Sequence, residues 1–267
     1  MTRWILRTSV AALLCACAGG KTDVAKPVNP VTASDAAKAY DQAMIEKRDK
    51  NYVEATTYFE VVRQNFPYSQ YAALADLALA DMSYEREDWS AAATAYQDFV
   101  KSHPSHAKAD YAAYRVGLSF YGDRPSDIFM LPPSYERDQA SLRQALEALQ
   151  RFVTGYPKSD YLQKARDLIN DCRERLAAQD RYVAGFYWKR KAWRGAAGRL
   201  IALADTYGDL DGGKLRTDSL WRAAVAYQYA NDGPLQRATL ERLVQEAPPG
   251  DPHRGYAEEL LKSLPKP

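Results

Sequence analysis

From Asp35 onward, alanines, leucines and tyrosines return at intervals of three and four residues with charged side chains between them. No stretch alternates apolar and polar positions as a half-buried strand would, so the pattern predicts an all-α chain. Breakers punctuate it at regular places: Phe66 and Pro67, His103 and Pro104, Tyr156 and Pro157, Tyr207 and Gly208, Ala247 and Pro248. Twelve positions before the second residue of each breaker stand Ala55, Ala92, Ala145, Ala196 and Gln236. Eight before stand Phe59, Tyr96, Leu149, Leu200 and Leu240, and five before stand Val62, Phe99, Phe152, Leu203 and Leu243. These three rows predict one buried face on the second helix of each of five units.

A small residue where two helices cross, large ones further along the same face and a breaker after the second helix describe a tetratricopeptide repeat, whose ideal period is about 34 residues. The breaker spacings here are 37, 53, 51 and 40, so two units are stretched. One holds residues 122–136, where Pro125, Pro132 and Pro133 exclude a continuous helix and predict an inserted loop. The other holds residues 159–190, periodic enough for one long helix or two in series. Single hairpins of this kind cannot bury their apolar faces, so five stacked units predict one superhelix with a groove, suited to binding rather than turnover. Units one to three are expected over residues 35–158 and units four and five over 159–264.

Ahead of the repeats, Arg3 and Arg7 precede a short apolar run that closes on Leu14, Cys15, Ala16 and Cys17. The run is shorter than the roughly 20 residues a spanning helix needs, so residues 1–16 read as a cleaved leader. Leucine three positions before the cleavage point, alanine just before it and cysteine just after form a lipobox, which makes Cys17 the expected acylation site. A plain secretory signal, the alternative, would carry a small residue where Leu14 stands. Residues 17–34, with Pro27, Pro30 and no apolar period, form an expected flexible tether that spans roughly 20–25 Å as a coil. Ala18 in place of aspartate after the lipidated cysteine favours the outer membrane.

Charge excludes a global field: losing Arg3 and Arg7 with the leader brings the 36 basic residues level with the 34 acidic ones, so no nucleic-acid partner is expected. With Cys15 removed and Cys17 acylated, Cys172 is the one remaining thiol, so no internal disulfide forms, and its place on an apolar helical stripe marks it as packing. His103 and His106 bracket Pro104 in an H-x-x-H string that lacks the i, i+4 spacing of a zinc site. No Walker loop, nucleophile elbow or dinucleotide fingerprint is present, and no catalytic residue, metal or cofactor is expected. Glu85, Glu87 and Asp88 cluster at an inter-helix turn, where solvated turn residues are the simpler reading than a pair of catalytic acids.

Two residue classes remain. Among the 19 tyrosines, Tyr68, Tyr71, Tyr84, Tyr111 and Tyr114, with Arg115, are candidates for a peptide groove on the first three units, with packing between repeats as the alternative use. Between Arg173 and Arg199 run eight basic residues together with Tyr187, Trp188 and Trp193. Arginine and tryptophan are over-represented at interface hot spots, so this stretch suits an acidic partner, unless it is only a solvated face.

The strings Phe66 to Ser69 with Tyr71 and Ala72, Tyr111 to Leu118, Arg137 and Asp138, Tyr156 to Ser159 with Tyr161, and Tyr182 to Ala184 running on to Trp193 resemble the BamD (ComL) family, lipoproteins of the β-barrel assembly machinery. The resemblance extends from the lipobox to about residue 210, and after Gly213 it is one of pattern only. It implies an outer-membrane lipoprotein on the periplasmic side that binds POTRA domains of a BamA-like insertase through its C-terminal repeats, works with other assembly-machinery lipoproteins, and receives the targeting signal of unfolded outer-membrane proteins on its N-terminal repeats. Aligned on Trp193, the family's two interface arginines fall on Arg190 and Arg199, each suited to a bidentate bond with a carboxylate. The chain departs from the family in the composition of its insertion, in Gly208 where proline is frequent, and in a short tail after Pro248. Two competing readings are a repeat lipoprotein of another envelope complex, of the Tol or division type, and a peptidoglycan-acting enzyme. The first would lack Arg190, Arg199 and the stretched third unit, and the second would need a paired acid in a cleft.

Overall fold

The computed structural model describes residues 33–126, 130 and 132–265; the leader, Cys17 and residues 18–32 of the expected tether lie outside the described residues. Among the described residues there are eleven α-helices and no strands. Ten of the helices pair into five antiparallel hairpins: α1 (Ala33–Arg48) with α2 (Tyr52–Asn65), α3 (Gln70–Glu85) with α4 (Trp89–Ser102), α5 (Ala109–Gly122) with α6 (Ala140–Gly155), α7 (Leu162–Lys189) with α8 (Trp193–Tyr207), and α9 (Lys214–Tyr229) with α10 (Gly233–Glu246). Each helix packs against the next in chain order, which is the stacking of a tetratricopeptide superhelix.

The repeat rows explain the hairpins. All fifteen row positions are at most 4% exposed, so the small residue, the two large ones and the breaker do mark one buried helix face. At the first three breakers the last residue before proline still donates its N–H back into the helix, from Phe66 to Val62, His103 to Phe99 and Tyr156 to Phe152. It then leaves helical geometry at φ near −130° (−132°, −128° and −128°), as a residue ahead of proline must. Within four hairpins the turn is identical. Lys50, Glu87, Lys191 and Asn231 take positive φ (63°, 59°, 59° and 54°), and the following N–H reaches back to Glu46, Ser83, Tyr187 and Tyr227. This is the Schellman closure, here built without glycine.

The third hairpin lacks that turn because the insertion replaces it. α5 keeps Gly122, and α6 begins only at Ala140. The buried Gln139 amide donates to the carbonyls of Ser134 and Arg137 and holds a short 3-10 turn, Ser134–Glu136, in place. Tyr135 then rests 5.5 Å from Tyr182 on α7, ring centre to ring centre.

The residues 159–190 resolve into one 28-residue helix, α7. Its first half (Ala165, Cys172, Leu176) joins a core with Leu142, Leu149 and Phe152 of α6, and its second half (Ala184, Tyr187, Trp188) joins another with Ala196, Ala197 and Leu200 of α8. Cys172 is fully buried and burial pushes its thiol up to about 12, consistent with packing and no reactivity. An eleventh helix, α11 (Pro252–Ser263), goes beyond the five expected pairs. It lays Ala257, Leu260 and Leu261 over Leu240, Leu243 and Ala247, closing the apolar end of the stack.

Candidate functional site

The fourth hairpin turns α7 into α8 through Lys191, and the turn fixes an aromatic cluster at its tip. Trp193, the first residue of α8, stacks on Tyr229 of the next hairpin at 4.9 Å, and Trp188 stands edge-on to Trp193 at 5.4 Å and to Tyr229 at 6.1 Å. Helices α7 and α8 approach closely here because Gly195 has no side chain; a Cβ at that position would lie 2.8 Å from the Tyr187 ring. Phe186 and Tyr229 remain exposed, at 44% and 58%.

The cations of the fourth hairpin divide into two groups. Arg173 pairs with Asp209, Arg175 with Asp171 at 2.7 Å and Arg194 with Asp232 at 2.9 Å, so these three are consumed internally. Arg181, Lys189, Arg190, Lys191 and Arg199 are exposed and form no ion pair among the described residues. Arg190 caps α7 and lays its guanidinium 4.1 Å over the Phe186 ring, which orients it without using its N–H donors. Arg199 stands beside Asp180: burial lifts the Asp180 carboxyl above the usual carboxylate range while the fields of Arg199 and Arg143 oppose the rise. The arrangement is a set of free, partly pre-oriented cations with exposed rings among them.

On the first three units the groove candidates separate. Tyr84, Tyr111 and Arg115 come together with two residues the sequence reading did not assign to this site, Asp81 and Tyr96. The Tyr96 hydroxyl donates to Asp81 Oδ1 at 2.5 Å and the Tyr111 hydroxyl to the same oxygen at 2.8 Å. Arg115 Nε donates to Tyr96 Oη at 3.0 Å, and its guanidinium lies 3.6 Å over the Tyr84 ring. Burial, reinforced by the Asp81 charge, pushes both tyrosine hydroxyls well above the usual phenol range, so they remain donors. The knot ties α3, α4 and α5 together. Tyr114 is instead buried and stacked on Tyr161 at 5.1 Å, Tyr71 packs on Tyr40 at 5.6 Å, and Tyr68 stands fully exposed on the α2–α3 turn. Asp81 had a visible signal: it is the second of two carboxylates in the otherwise apolar stretch from Ala72 to Met82.

The histidines have structural partners. His103 Nε2 lies 3.1 Å from Asp76 Oδ2, and His106 Nδ1 accepts from the Lys108 N–H at 3.1 Å. Among the described residues no group of three or more His, Cys, Asp or Glu is placed to hold a metal ion. Nor is any helix among them long and apolar enough to cross a membrane.

Fold and site define a class, an α-solenoid of tetratricopeptide-type hairpins that presents unpaired cations and exposed rings. Within it the chain belongs to the YfiO family of outer-membrane lipoproteins, whose family model matches residues 32–230. It is 27% identical over 259 residues to the outer membrane protein assembly factor BamD of Neisseria meningitidis serogroup A, covering 96% of this chain and 95% of that one. It is 28% identical to the factor of the same name from Haemophilus influenzae over 222 residues, covering 82% and 81%. Among solved structures, the TPR2AB domain of yeast Sti1 in its Hsp90 complex covers 87% of this chain and 86% of its own at 14% identity, with a TM-score of 0.43; the repeat assignment rests on the hairpins themselves.

Proposed function

We propose that this chain is a lipid-anchored, non-catalytic scaffold for assembly of β-barrel proteins at the periplasmic face of the outer membrane. Membership of a family of outer-membrane lipoproteins supports the location, and relatives that match nearly the whole chain are named outer membrane protein assembly factors. In this reading residues 1–16 are removed, Cys17 carries the acyl chains, and residues 18–32, ahead of the first helix, let the solenoid stand off the bilayer.

The observation that carries the reading is the surplus of free cations on the fourth hairpin. An exposed arginine that closes no internal ion pair keeps its planar fork for a partner's carboxylate. Arg190 and Arg199 in that condition, flanking the Trp193 cluster, suit an acidic face on a POTRA domain of a BamA-like insertase. On the first three units, Tyr84, Tyr111 and Arg115 form a polar, aromatic wall suited to the C-terminal signal of an unfolded barrel protein, with Tyr71 and Tyr114 packed among the aromatic residues of the same units and Tyr68 exposed on the α2–α3 turn. Other lipoproteins of the assembly machinery complete the partner set.

The test is affinity for the POTRA region of the cell's insertase, measured with the chain from Ala18 and with its Arg199→Glu counterpart at two salt concentrations. Binding by the parent that weakens at least about tenfold in the variant, and that falls with salt, is expected. A parent that does not bind overturns the assembly reading.

A further inference from the structure

Stacked hairpins repeat the same junction four times. Two second helices form its walls, the intervening first helix forms its floor, and the residue ahead of the next breaker closes one end. Two of the four junctions are packed from within, and a third is bridged by an ion-pair network. Between α2 and α4, Arg63 pairs with Asp76 at 2.6 Å and His103 joins them at 3.1 Å, beside a smaller hollow of about 310 Å³ whose lining includes the carboxylates of Glu60 and Asp76. Between α6 and α8, Val153, Ile169, Tyr207 and Leu210 pack into one core. Between α8 and α10, Ala204, Leu220, Ala224 and Ala247 close together and Arg242 pairs with Asp205 at the surface.

The junction between α4 and α6 is different. Val100 occupies the breaker-relative position that Arg63 holds one unit earlier, and Tyr156 the position of His103. The ion-pair filling is therefore impossible. A cavity of about 480 Å³ is left, floored by Ala113 and Val116 of α5 and walled by Val100, Ala148, Phe152 and Tyr156. No carboxylate lines it, and a cation stands on each wall, Lys101 on α4 and Arg151 on α6. Lys101 has no ion-pair partner among the described residues, and Arg151 holds only a surface pair with Glu147 at 2.8 Å, both side chains more than 60% exposed (63% and 66%).

We propose that this crevice is a docking site for an acidic segment of a partner protein, which inserts a large apolar side chain against Val116 and Phe152 and places a carboxylate beside Lys101. Charge complementarity selects the occupant: a basic segment meets cations on both walls, and a purely apolar one leaves Lys101 without a counter-charge. The crevice lies on the second helices of units two and three, apart from the fourth-hairpin face, so both sites can be occupied together.

The experiment uses the full mature chain with Cys17→Ser, which blocks acylation, and a capped peptide in which phenylalanine and leucine are flanked by aspartates. Its counterpart carries lysines in place of the aspartates. Methyl NMR of valine and alanine reads the site. Saturable shifts of the Val100, Val116 and Ala148 methyls with the acidic peptide are expected, weakened roughly tenfold by Lys101→Glu. The cavity-filling Ala113→Phe is expected to abolish them at unchanged helical circular dichroism, and if it unfolds, the rim variant decides. Absence of saturable shifts, equal response to the lysine peptide, or indifference to Lys101→Glu overturns the proposal. Shifts that appear with protein concentration alone also overturn it, in favour of a second copy of this chain.

Discussion

Asp81 accepts hydrogen bonds from tyrosines on two other helices, and Arg115 closes the circuit through Tyr96. A buried hydroxyl left without its partner costs about 1–3 kcal/mol, and Tyr96 is fully buried. Asp81→Ala is therefore expected to lower unfolding free energy by about that amount in urea titration, and Asp81→Asn by less, because the amide oxygen still accepts. Equal losses for the two variants would show that the two hydrogen bonds contribute little. Arg190 and Arg199 are the opposite kind of residue, held loosely or not at all by the fold and so free to meet a partner. Tyr114 and Arg115 are neighbours in the chain, yet one is buried under Tyr161 and the other lies over Tyr84. Residue type alone did not separate them, since both uses of tyrosine suit a ring with a polar tip.

Hairpins here are made by cooperation between a breaker and a turn. Four turns place a side chain at positive φ, which costs roughly 1–2 kcal/mol relative to glycine's freedom there. Glu87 is exposed and its side chain closes no turn, so Glu87→Gly is expected to raise stability by a few tenths to about 1 kcal/mol, read as a higher urea midpoint at unchanged slope. Glu87→Val is expected to do the reverse. The rows behind each breaker were legible in the sequence, down to Gln236 in the place of alanine, whose amide Nε2 is buried without a partner. The turn geometry was not, because Lys50, Glu87 and Lys191 carry none of the glycine signal that usually marks it.

The whole molecule is a stack in which each hairpin touches chiefly its neighbours, so its ends open first. At the C-terminal end Glu246 joins α10 to α9 through Arg216 at 2.8 Å and braces Arg242 at 2.6 Å. Hydrogen bonds from Arg242, against the opposing effect of burial, hold its carboxyl below its ordinary value of 4.5. A depressed folded value means stabilisation present above pH 4.5 and lost as pH falls through the folded value. Glu246→Gln is thus expected to speed amide exchange in α9 to α11 at neutral pH, with the difference from the parent vanishing in acid and α3 to α6 unaffected. Faster exchange throughout the chain would instead mean one cooperative unit.

Periodicity and breakers are local properties, and they were enough to specify an all-α chain, the five hairpins, the stretched third and fourth units and the buried face of each second helix, whereas α11 and the unbroken length of α7 came only from the structure. Helix formation and termination depend on neighbours a few residues away, which is why a linear pattern carries them. The separation of paired from unpaired cations on the fourth hairpin, the Asp81 knot and the open junction between α4 and α6 all join residues from different helices. Partners 15 to 50 residues apart, such as Tyr96 with Asp81 and Tyr121 with Asp171, meet only when the stack closes. Cancellation or survival of a charge is settled by those long-range distances, and so which cations stay free belongs to the tertiary structure.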